Sequence, residues 1–591
     1  MADKDPDNST SAVQQAWYTS FFLENHLDYV SYPDQVASPE KIRFIVMAEE
    51  KERYYPCSDR MFGAIMARQR PAFLARRYDK VLTRLLTLVE SQIEEPSEQE
   101  FLESLLRTKF RHETADGLMI PSRLEKRLLK IFLDRTQITD PCLCQKAARN
   151  RRAAAALGSE AFLSALNRVE AGITDGSASS IGELRLKANQ VQLKRLFSLL
   201  AHEDLWEKDT RHYAASDYEG IMSRPLSGAG VEALDRLLAP ERSALGAYFD
   251  QPLKIMWLMD EAGEALIDLY IIRFLAGLGH KVVIAFKDGP FYTKVDFHDA
   301  RHDESLSPWL SGAFFIADKS LAKNDLVDLL KRDQHILALS DGTMEDLNLL
   351  MVTTTFARAF KEADLVVARG DAQRRRFFDT HFGFTQDILS IARAEDGSVS
   401  VEFKPRHPSV IKFSLRDLEK RAADIINAMK KAKDDGMTVV FYSGIIGSIP
   451  GKIEIAKKIM TLFVSRLREQ SANTFIVNPS EYFEHGMDAD DLMYMWEIVQ
   501  RSGYIDIWRF QTYDDIVEAF DLMETKVPPE WVGKDATFST GCTKEMKIAV
   551  DVVRKYPEMQ IIGPPLEKFG RRAEYGVGKL YDQRLADVCG L

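Results

Sequence analysis

LKIMWLMDEAGE, residues 253–264, is an apolar run that ends abruptly in acidic residues and is followed by a helical pattern. A short apolar run before such a pattern is typical of the strand-to-helix half of a βαβ unit. In open α/β sheets the ligand crevice lies outside the carboxyl ends of the strands, so we expect Asp260 and Glu261 there. Two carboxylates at that position suit a hard cation such as Mg²⁺ or Mn²⁺. Asp260 can equally cap the helix that follows.

Composition limits the classes of protein that fit the rest of the chain. At 591 residues the chain is expected to form roughly three or four domains. Its 45% apolar and 28% charged residues are typical of an ordinary globular protein. The net charge of -11 gives no overall attraction to nucleic acid or to anionic membranes, so neither is an expected partner.

The compartment is predicted from three observations. Residues 1–15 are polar and acidic, without the basic start and apolar centre of a secretory signal. We found no apolar run long enough for a membrane span. Five cysteines in so long a chain do not indicate a disulfide framework. We therefore expect a cytoplasmic, reducing location.

The hydrophobic pattern changes twice along the chain. Residues 1–15 are predicted to form a disordered tail, 16–235 a helical domain, 236–414 an α/β core, and 415–591 a further α/β region. Candidate strands of the core are 253–259, 281–286, 314–317, 334–340 and 365–368, and those of the last region are 438–442, 474–477, 504–508 and 559–562. The fold class is therefore α/β, a helical amino-terminal domain with a Rossmann-like, mostly parallel core.

Polar residues gather where the core strands end. They are Asp260 and Glu261, Lys287 and Asp288, Asp341 and Thr343, and Arg369, Gly370 and Asp371. If the strands are parallel, these residues share one edge of the sheet. A metal held by Asp260 and Glu261 would act as a Lewis acid and lower the pKa of a bound water. Arg369 and nearby lysines would neutralise phosphoryl oxygens.

A glycine-rich loop in the last region, Gly444 to Lys452, follows a strand and opens a helix. That context suits a phosphate cradle. The spacing differs from a P-loop, because Ile446 stands where glycine is required and Ile453 where Ser or Thr would bind magnesium. A strand-to-helix turn without a ligand is the alternative.

Several segments of the core, in order, resemble the damage-control phosphatase family, the domain of unknown function 89, which includes the protein first described as a human acidic-residue methyltransferase. They are DEAGEALIDLYIIRFL, KVVIAFKDGPFYTKVDFHDA, ILALSDGT and EADLVVARGDAQRRRFF, preceded by DPCLCQKAARN with Lys146 and Asn150. The resemblance covers roughly residues 130–410. It implies a helical part against a Rossmann-like core and metal-dependent hydrolysis of sugar phosphates or damaged phosphometabolites.

The resemblance also implies roles for particular residues. Asp260 matches the Asp of the family's Asp-Asn-Ala-Gly metal motif, Gly370 and Asp371 match its turn near the substrate, and Lys404 matches a late phosphate-binding lysine. The implied catalytic residues are Asp260, Glu261 and Asp371. The implied substrate-binding residues are Lys294, Ser340, Thr343, Arg369, Gly370 and Lys404. The implied metal ligands are Asp260, Glu261 and Asp296, for Mn²⁺, Mg²⁺, Co²⁺ or Ni²⁺.

Two positions depart from the family pattern. Glu261 stands where the family has Asn, and Thr293-Lys294 where it has Asn-Asp, whose Asp is a metal ligand. Three outcomes are open. Asp296 or Asp299 supplies the missing carboxylate, Lys294 replaces the metal by pairing with Asp260 and Glu261, or catalysis is lost.

The primary functional hypothesis is a metal-dependent phosphohydrolase acting on a small phosphorylated metabolite. One alternative is an altered family member that binds an anionic ligand or a protein partner without hydrolysis. Another is nucleotide binding through the Gly444–Lys452 loop. The carboxy-terminal region 415–591 matches no family that we recognise and is a possible surface for a protein partner.

Overall fold

The computed structural model describes residues 6–49, 52–68, 71–169, 181–200, 202–237, 252–394, 397–449, 452–471, 473–482, 484 and 486–570. The chain divides into two compact units, Met1–Pro408 and Ser409–Leu591. The predicted helical domain, and the predicted α/β core as far as Pro408, thus fall within one unit.

Helices and one large sheet build the first unit. The helices are α1 Pro6–Glu24, α2 Pro39–Ile42, α3 Asp59–Met66, α4 Ala72–Gln92, α5 Pro96–Glu113, α6 Pro121–Thr136, α7 Leu143–Leu157, α8 Glu160–Leu166, α9 Ile181–Leu199, α10 Asp204–Glu207, α11 Ala215–Met222, α12 Val231–Leu237, α13 Glu264–Gly277, α14 Phe297–His302, α15 Lys323–Lys331, α16 Thr354–Glu362 and α17 Gly370–Phe378. The strands are β1 Val46–Met47, β2 Leu226–Ser227, β3 Lys254–Leu258, β4 Lys281–Phe286, β5 Phe314–Ile316, β6 Ile336–Ser340, β7 Leu365–Arg369, β8 Gly383–Phe384, β9 Asp387–Arg393 and β10 Val399–Lys404.

The sheet has the order β2-β10-β9-β7-β3-β4-β6-β5. All neighbours pair in parallel except the β9–β10 hairpin. Strands β1 and β8 form a separate antiparallel pair. The fold class predicted from the sequence, α/β with a mostly parallel sheet, is confirmed.

The sheet separates two hydrophobic cores, because alternate residues of a strand point to opposite faces. Met256 and Leu258 pack in the core that contains buried residues of α1 and α3–α6, whereas Ile255 and Trp257 pack in the core that contains buried residues of α7–α13. Coverage on both faces explains why the central strands read as uninterrupted apolar runs.

Helix α1 differs from the sequence prediction, which placed residues 1–15 in a disordered tail. The helix starts at Pro6 and continues into Phe21 and Phe22, which are fully buried in the first core. Packing of the carboxy-terminal end of the helix in the hydrophobic core stabilises the helix, although its first residues are polar. Residues 1–5 lie outside the described residues.

The second unit is a smaller α/β fold. Its helices are α18 Leu415–Asp434, α19 Ile453–Gln470, α20 Ala489–Gln500, α21 Tyr513–Leu522, α22 Thr540–Lys555 and α23 Leu566–Gly570, and its strands are β11 Thr438–Ser443, β12 Thr474–Val477, β13 Ile507–Phe510 and β14 Gln560–Ile562. Short 3-10 turns cover Pro479–Tyr482, Pro529–Trp531 and Ala536–Phe538. The four strands form a separate, fully parallel sheet of order β12-β11-β13-β14.

The glycine-rich loop lies in this second unit. Residues 450 and 451 fall outside the described residues, and Lys452 Nζ pairs with Glu530 Oε1 at 3.0 Å. Nucleotide binding through the loop stays a prediction. Within the described residues, no helix combines the length and apolar character needed to cross a bilayer.

Candidate active site

The acids that follow β3 lie at the carboxyl edge of the first sheet. Asp260 is buried, and Gly263, with φ of 85°, leads into α13. Asp260 also packs against the start of α17, where a Cβ built on Gly370 would overlap Asp260 Oδ2. The ends of β3 and β7 therefore meet at Asp260, as the parallel sheet requires.

Lys294 is held beside these acids by the backbone. Val295 N donates to Asp260 O at 3.0 Å, and Ala262 N donates to Thr293 O at 2.8 Å. These bonds join the loop after β4 to the loop after β3. Lys294 is consequently aimed at the two carboxylates rather than at solvent, and its side chain is only 9% exposed.

The Lys294 ammonium lies between the two carboxylates. Its Nζ donates to Asp260 Oδ1, and to Glu261 Oε1 at 3.2 Å. Glu261 Oε2 also accepts from Thr293 Oγ1 at 2.5 Å and lies 3.8 Å from Arg149 NH1. Of the outcomes open from the sequence, this geometry corresponds to Lys294 pairing with both acids.

Electrostatics around Lys294 follow from burial and charge. Burial disfavours the ammonium, but the charges of Asp260 and Glu261 outweigh it and raise the pKa of Lys294. Burial raises the pKa of Asp260 against the opposing charge of Lys294. For Glu261 the effect of burial is overcome by Lys294 and Thr293, and the pKa is lowered. Lys294 is therefore a permanent cation at neutral pH.

Asn150, on α7, fixes the loop that carries the acids. Its Oδ1 accepts from Gly263 N at 2.7 Å, and its Nδ2 donates to Asp303 Oδ2 at 3.0 Å. Asn150 is fully buried. The polar pair that the sequence placed on one face of this helix, Lys146 and Asn150, thus points into the edge of the sheet.

Lys146 organises a second group of carboxylates. Its Nζ contacts Asp299 Oδ2, and lies 2.6 Å from Asp140 Oδ2 and 3.4 Å from Asp296 Oδ2. The carboxylates of Asp140, Asp296 and Asp299 also converge closely enough to hold a metal ion. An ammonium group already lies among them.

The three predicted metal ligands are thus divided between two lysines. Asp260 and Glu261 contact Lys294, whereas Asp296 contacts Lys146 and also caps α14, accepting from His298 N at 2.8 Å. A divalent ion at Asp260 would face a buried ammonium at van der Waals range, which electrostatic repulsion disfavours. Asp260 and Glu261, with the Lys294 ammonium between them, therefore do not fit a metal ion as arranged.

Ser340 and Thr343, predicted to bind substrate, take part in a hydrogen-bond network at the ends of β4 and β6. Ser340 Oγ donates to Asp288 Oδ1 at 2.6 Å. Lys287 Nζ donates to Asp341 Oδ2 at 2.7 Å and to Thr343 Oγ1 at 3.0 Å. Because Lys287 and Thr343 are almost completely buried, this network positions the loops after β4 and β6.

Arg369, predicted to neutralise phosphate, is buried and bonded inside the protein, and the phosphate-binding role stays a prediction. Its Nε donates to Asp268 Oδ1 at 2.8 Å, its NH1 donates to Ile391 O at 2.7 Å, and its NH2 donates to Glu264. Burial raises the pKa of Glu264 to about 8 and that of Asp268 to about 6, against the charge of Arg369. Arg369 is an internal counter-ion that ties β7 to α13.

Lys404, predicted to bind phosphate, is bonded to the backbone, and the phosphate-binding role stays a prediction. Its Nζ donates to the carbonyl oxygens of Phe377 at 2.8 Å, Thr380 at 3.1 Å and Phe382 at 2.8 Å. It therefore binds the chain at the carboxyl end of α17. Asp371, in contrast, lies on the first turn of α17 with its side chain 67% exposed.

Sequence reasoning placed Lys287 at this edge but gave no role to Arg149, whose NH1 lies 3.8 Å from Glu261 Oε2. Arg149 did carry a signal, since it adjoins Asn150.

Comparisons with known proteins identify the family of the chain. No curated protein matches the chain. A solved structure of a DUF89 family protein from Pyrococcus horikoshii is similar at 13% sequence identity, over 55% of this chain and 96% of that chain, with a TM-score of 0.38. The family profile described as the damage-control phosphatase ARMT1-like domain matches residues 73–407, more than half of the sequence. The chain therefore belongs to the damage-control phosphatase ARMT1-like family.

Proposed function

We propose that the Met1–Pro408 unit hydrolyses a small phosphorylated metabolite at the crevice formed by Asp260, Glu261 and Lys294. Membership of the damage-control phosphatase family supports the reaction class. The observation that carries the proposal is the buried Lys294 ammonium between two carboxylates, beside the start of α17.

Lys294 supplies positive charge for the phosphoryl group. An ammonium has three N–H donors. Among the described residues, only Asp260 and Glu261 accept hydrogen bonds from this one, which leaves a third donor for a phosphoryl oxygen. The amino-terminal end of α17 adds backbone N–H groups and the positive end of the helix dipole.

Asp260 is the group placed to accept a proton. It lies beside both Lys294 and Gly370, and burial raises its pKa, which favours acceptance of a proton. In the proposed reaction the oxygen of a water molecule attacks phosphorus and its proton passes to Asp260. The ester P–O bond breaks, and the leaving oxygen takes a proton from solvent. No step uses a metal.

The test is phosphate release by the purified full chain across a panel of phosphorylated metabolites, in EDTA and in Mn²⁺. We expect release in EDTA, and a loss of kcat of about 10²-fold or more in Asp260→Asn, since a general base contributes at least that much. Folding of the variant is checked by circular dichroism.

Two outcomes would contradict parts of the proposal. A folded chain that is inert across the panel in both buffers would overturn hydrolysis. Release that depends strictly on Mn²⁺ would retain hydrolysis but overturn the role of Lys294.

The variant Lys294→Met tests the buried ion pair through the free energy of unfolding and not through activity. Removing one partner of a buried ion pair leaves uncompensated carboxylates, and we expect unfolding to require about 3–5 kcal/mol less in urea titrations. Lys319→Met is the matched control, because Lys319 pairs with Asp288 at 2.6 Å but its side chain is 57% exposed. Its loss should cost under about 1 kcal/mol.

A further inference from the structure

Three arginines from distant parts of the chain converge beside α17, and we call Arg60, Arg77 and Arg375 the arginine cluster. The guanidinium carbons of Arg60 and Arg77 lie 4.3 Å and 5.5 Å from the centre of the same Phe73 ring. Arg77 is half-buried, and burial followed by the charges of Arg375 and Arg60 lowers its pKa. Two positively charged guanidinium groups thus lie against the same Phe73 ring.

The cluster lacks the acids that balance other cations in this unit. Among the described residues, no carboxylate lies within ion-pairing distance of Arg60 or Arg77, and Arg375 has only Asp371 at 3.9 Å. Lys146, Lys287, Lys294 and Arg369 each contact a carboxylate directly. Like charges gathered without counter-ions cost stability, and such a cost is common where a site binds an anion.

Two helices connect the arginine cluster to the crevice over a short distance. Arg375 follows Gly370 by five residues of α17, a rise of about 7.5 Å, and Gly370 packs against Asp260. Arg84, two turns after Arg77 on α4, lies 3.5 Å above the ring of Tyr292, two residues before Lys294. Helix α4 therefore runs alongside the crevice, from the cluster to the Lys294 loop, over about 10 Å.

We propose that the arginine cluster binds a second anionic group of the substrate, so that the enzyme selects small metabolites carrying a phosphate ester and, about 7–10 Å away, a second phosphate or a carboxylate. The inference rests on the proposed function, because the first phosphate is assigned to the Lys294 crevice. Planar guanidinium groups bind phosphate and carboxylate oxygens in pairs, which suits this role.

The test measures affinity rather than turnover, with flexible probes that carry no sugar-specific groups. Hexyl phosphate, hexane-1,6-diyl bisphosphate and 6-(phosphonooxy)hexanoate are titrated by calorimetry into the full chain carrying Asp260→Asn, which slows hydrolysis. We expect at least one doubly anionic probe to bind about tenfold or more tightly than hexyl phosphate, the gain of one charge-assisted contact. Comparison of the two shows whether phosphate or carboxylate is preferred.

Substitution of the cluster should remove only this gain. With Arg77→Gln or Arg375→Gln added, the doubly anionic probes should bind like hexyl phosphate, whose affinity stays the same. Arg76→Gln is the matched control, since Arg76 is exposed on the same helix and carries the same charge. Thermal melting should show Arg77→Gln as stable as the parent or more stable, because it relieves repulsion.

The remaining outcomes separate this inference from the proposed function. Equal affinity for all three probes, or a gain that survives both arginine substitutions, would overturn the second subsite and leave the crevice intact. Failure of every probe to bind would overturn the crevice as a phosphate site, and the subsite with it.

Discussion

Gly370 is the first residue of α17 and packs directly against Asp260, the proposed general base. Its φ of 75° lies in the left-handed region, and a side chain there would overlap the Asp260 carboxylate. Two requirements, one of backbone conformation and one of space, therefore act on the same residue. Only glycine meets both of them.

The two requirements can be separated by experiment. Gly117 has a similar φ of 71°, but a Cβ added there would meet nothing within 4 Å, so Gly117→Ala should cost only the conformational term of about 1–2 kcal/mol. Gly370→Ala should cost about 1–3 kcal/mol more and displace Asp260, lowering kcat. Urea unfolding and phosphate release measure the two effects. Equal costs at the two positions would contradict the close packing of Asp260 on Gly370.

Single residues also mark the limit of sequence reasoning. Pairing of Lys294 with Asp260 was one of three outcomes left open by a resemblance that covers both segments. Members of the arginine cluster come from positions 60, 77 and 375, and no local pattern connects them. Arg369 was assigned to substrate because it ends a strand at the correct edge. Position along a strand does not reveal that Asp268, on α13 about 100 residues earlier in the chain, pairs with it.

At the scale of elements, α17 is held at both ends by residues that sequence reasoning assigned to substrate. Gly370 begins the helix, and Lys404 of β10 donates to three carbonyl groups at its far end. A cation at the carboxyl end of a helix is favourable for the helix dipole. Lys404 therefore links the β10 strand to the element that carries Asp371.

Lys404→Met tests this structural role. Loss of charge-assisted bonds to buried carbonyl groups should lower the free energy of unfolding by about 2 kcal/mol, with little change in KM. Chemical denaturation and steady-state kinetics provide the two readouts, with the exposed Lys80→Met as control. A large rise in KM without loss of stability would restore the phosphate-binding role.

Buried parallel strands were the easiest elements to predict. Strands β4 and β12 have the predicted bounds, because a continuous apolar run between two helical patterns is typical of a strand covered on both faces. The sequence analysis did not predict the β9–β10 hairpin. The segments DILSIAR and VSVEFK are separated by a short charged segment and not by a crossover helix, so they did not fit the alternating strand–helix pattern. Strand β13 begins three residues later than predicted, at Ile507, because Tyr504 and Ile505 belong to the preceding connection.

At the scale of the whole molecule, the second unit has its own pH dependence. Glu545 is buried on α22, accepts from Gln500 Nε2 at 2.9 Å, and burial raises its pKa from 4.5 to about 7. A group whose pKa is raised by folding stabilises the fold fully below its unfolded pKa. That stabilisation is lost as the pH rises through the folded pKa.

We therefore expect the second unit to lose up to about 3 kcal/mol of stability between pH 4.5 and pH 8. Glu545→Gln should flatten this dependence and raise stability at pH 8, as measured by hydrogen exchange in peptides from β11. Glu558→Gln, an exposed carboxylate in the same unit, should leave the dependence unchanged. A pH profile that is the same for Glu545→Gln and the parent would refute the assignment.

The pairing of distant strands in the first unit affects how it folds during synthesis. Val46 pairs with Phe384 and Leu226 pairs with Val399, so the partners of these two strands are encoded 338 and 173 residues later. At ribosomal speeds of about 5–20 residues per second, Val46 remains without its partner for roughly 20–70 s. Through that interval the nascent chain exposes unpaired strand edges, and co-translational chaperones are the expected means of keeping them from aggregation.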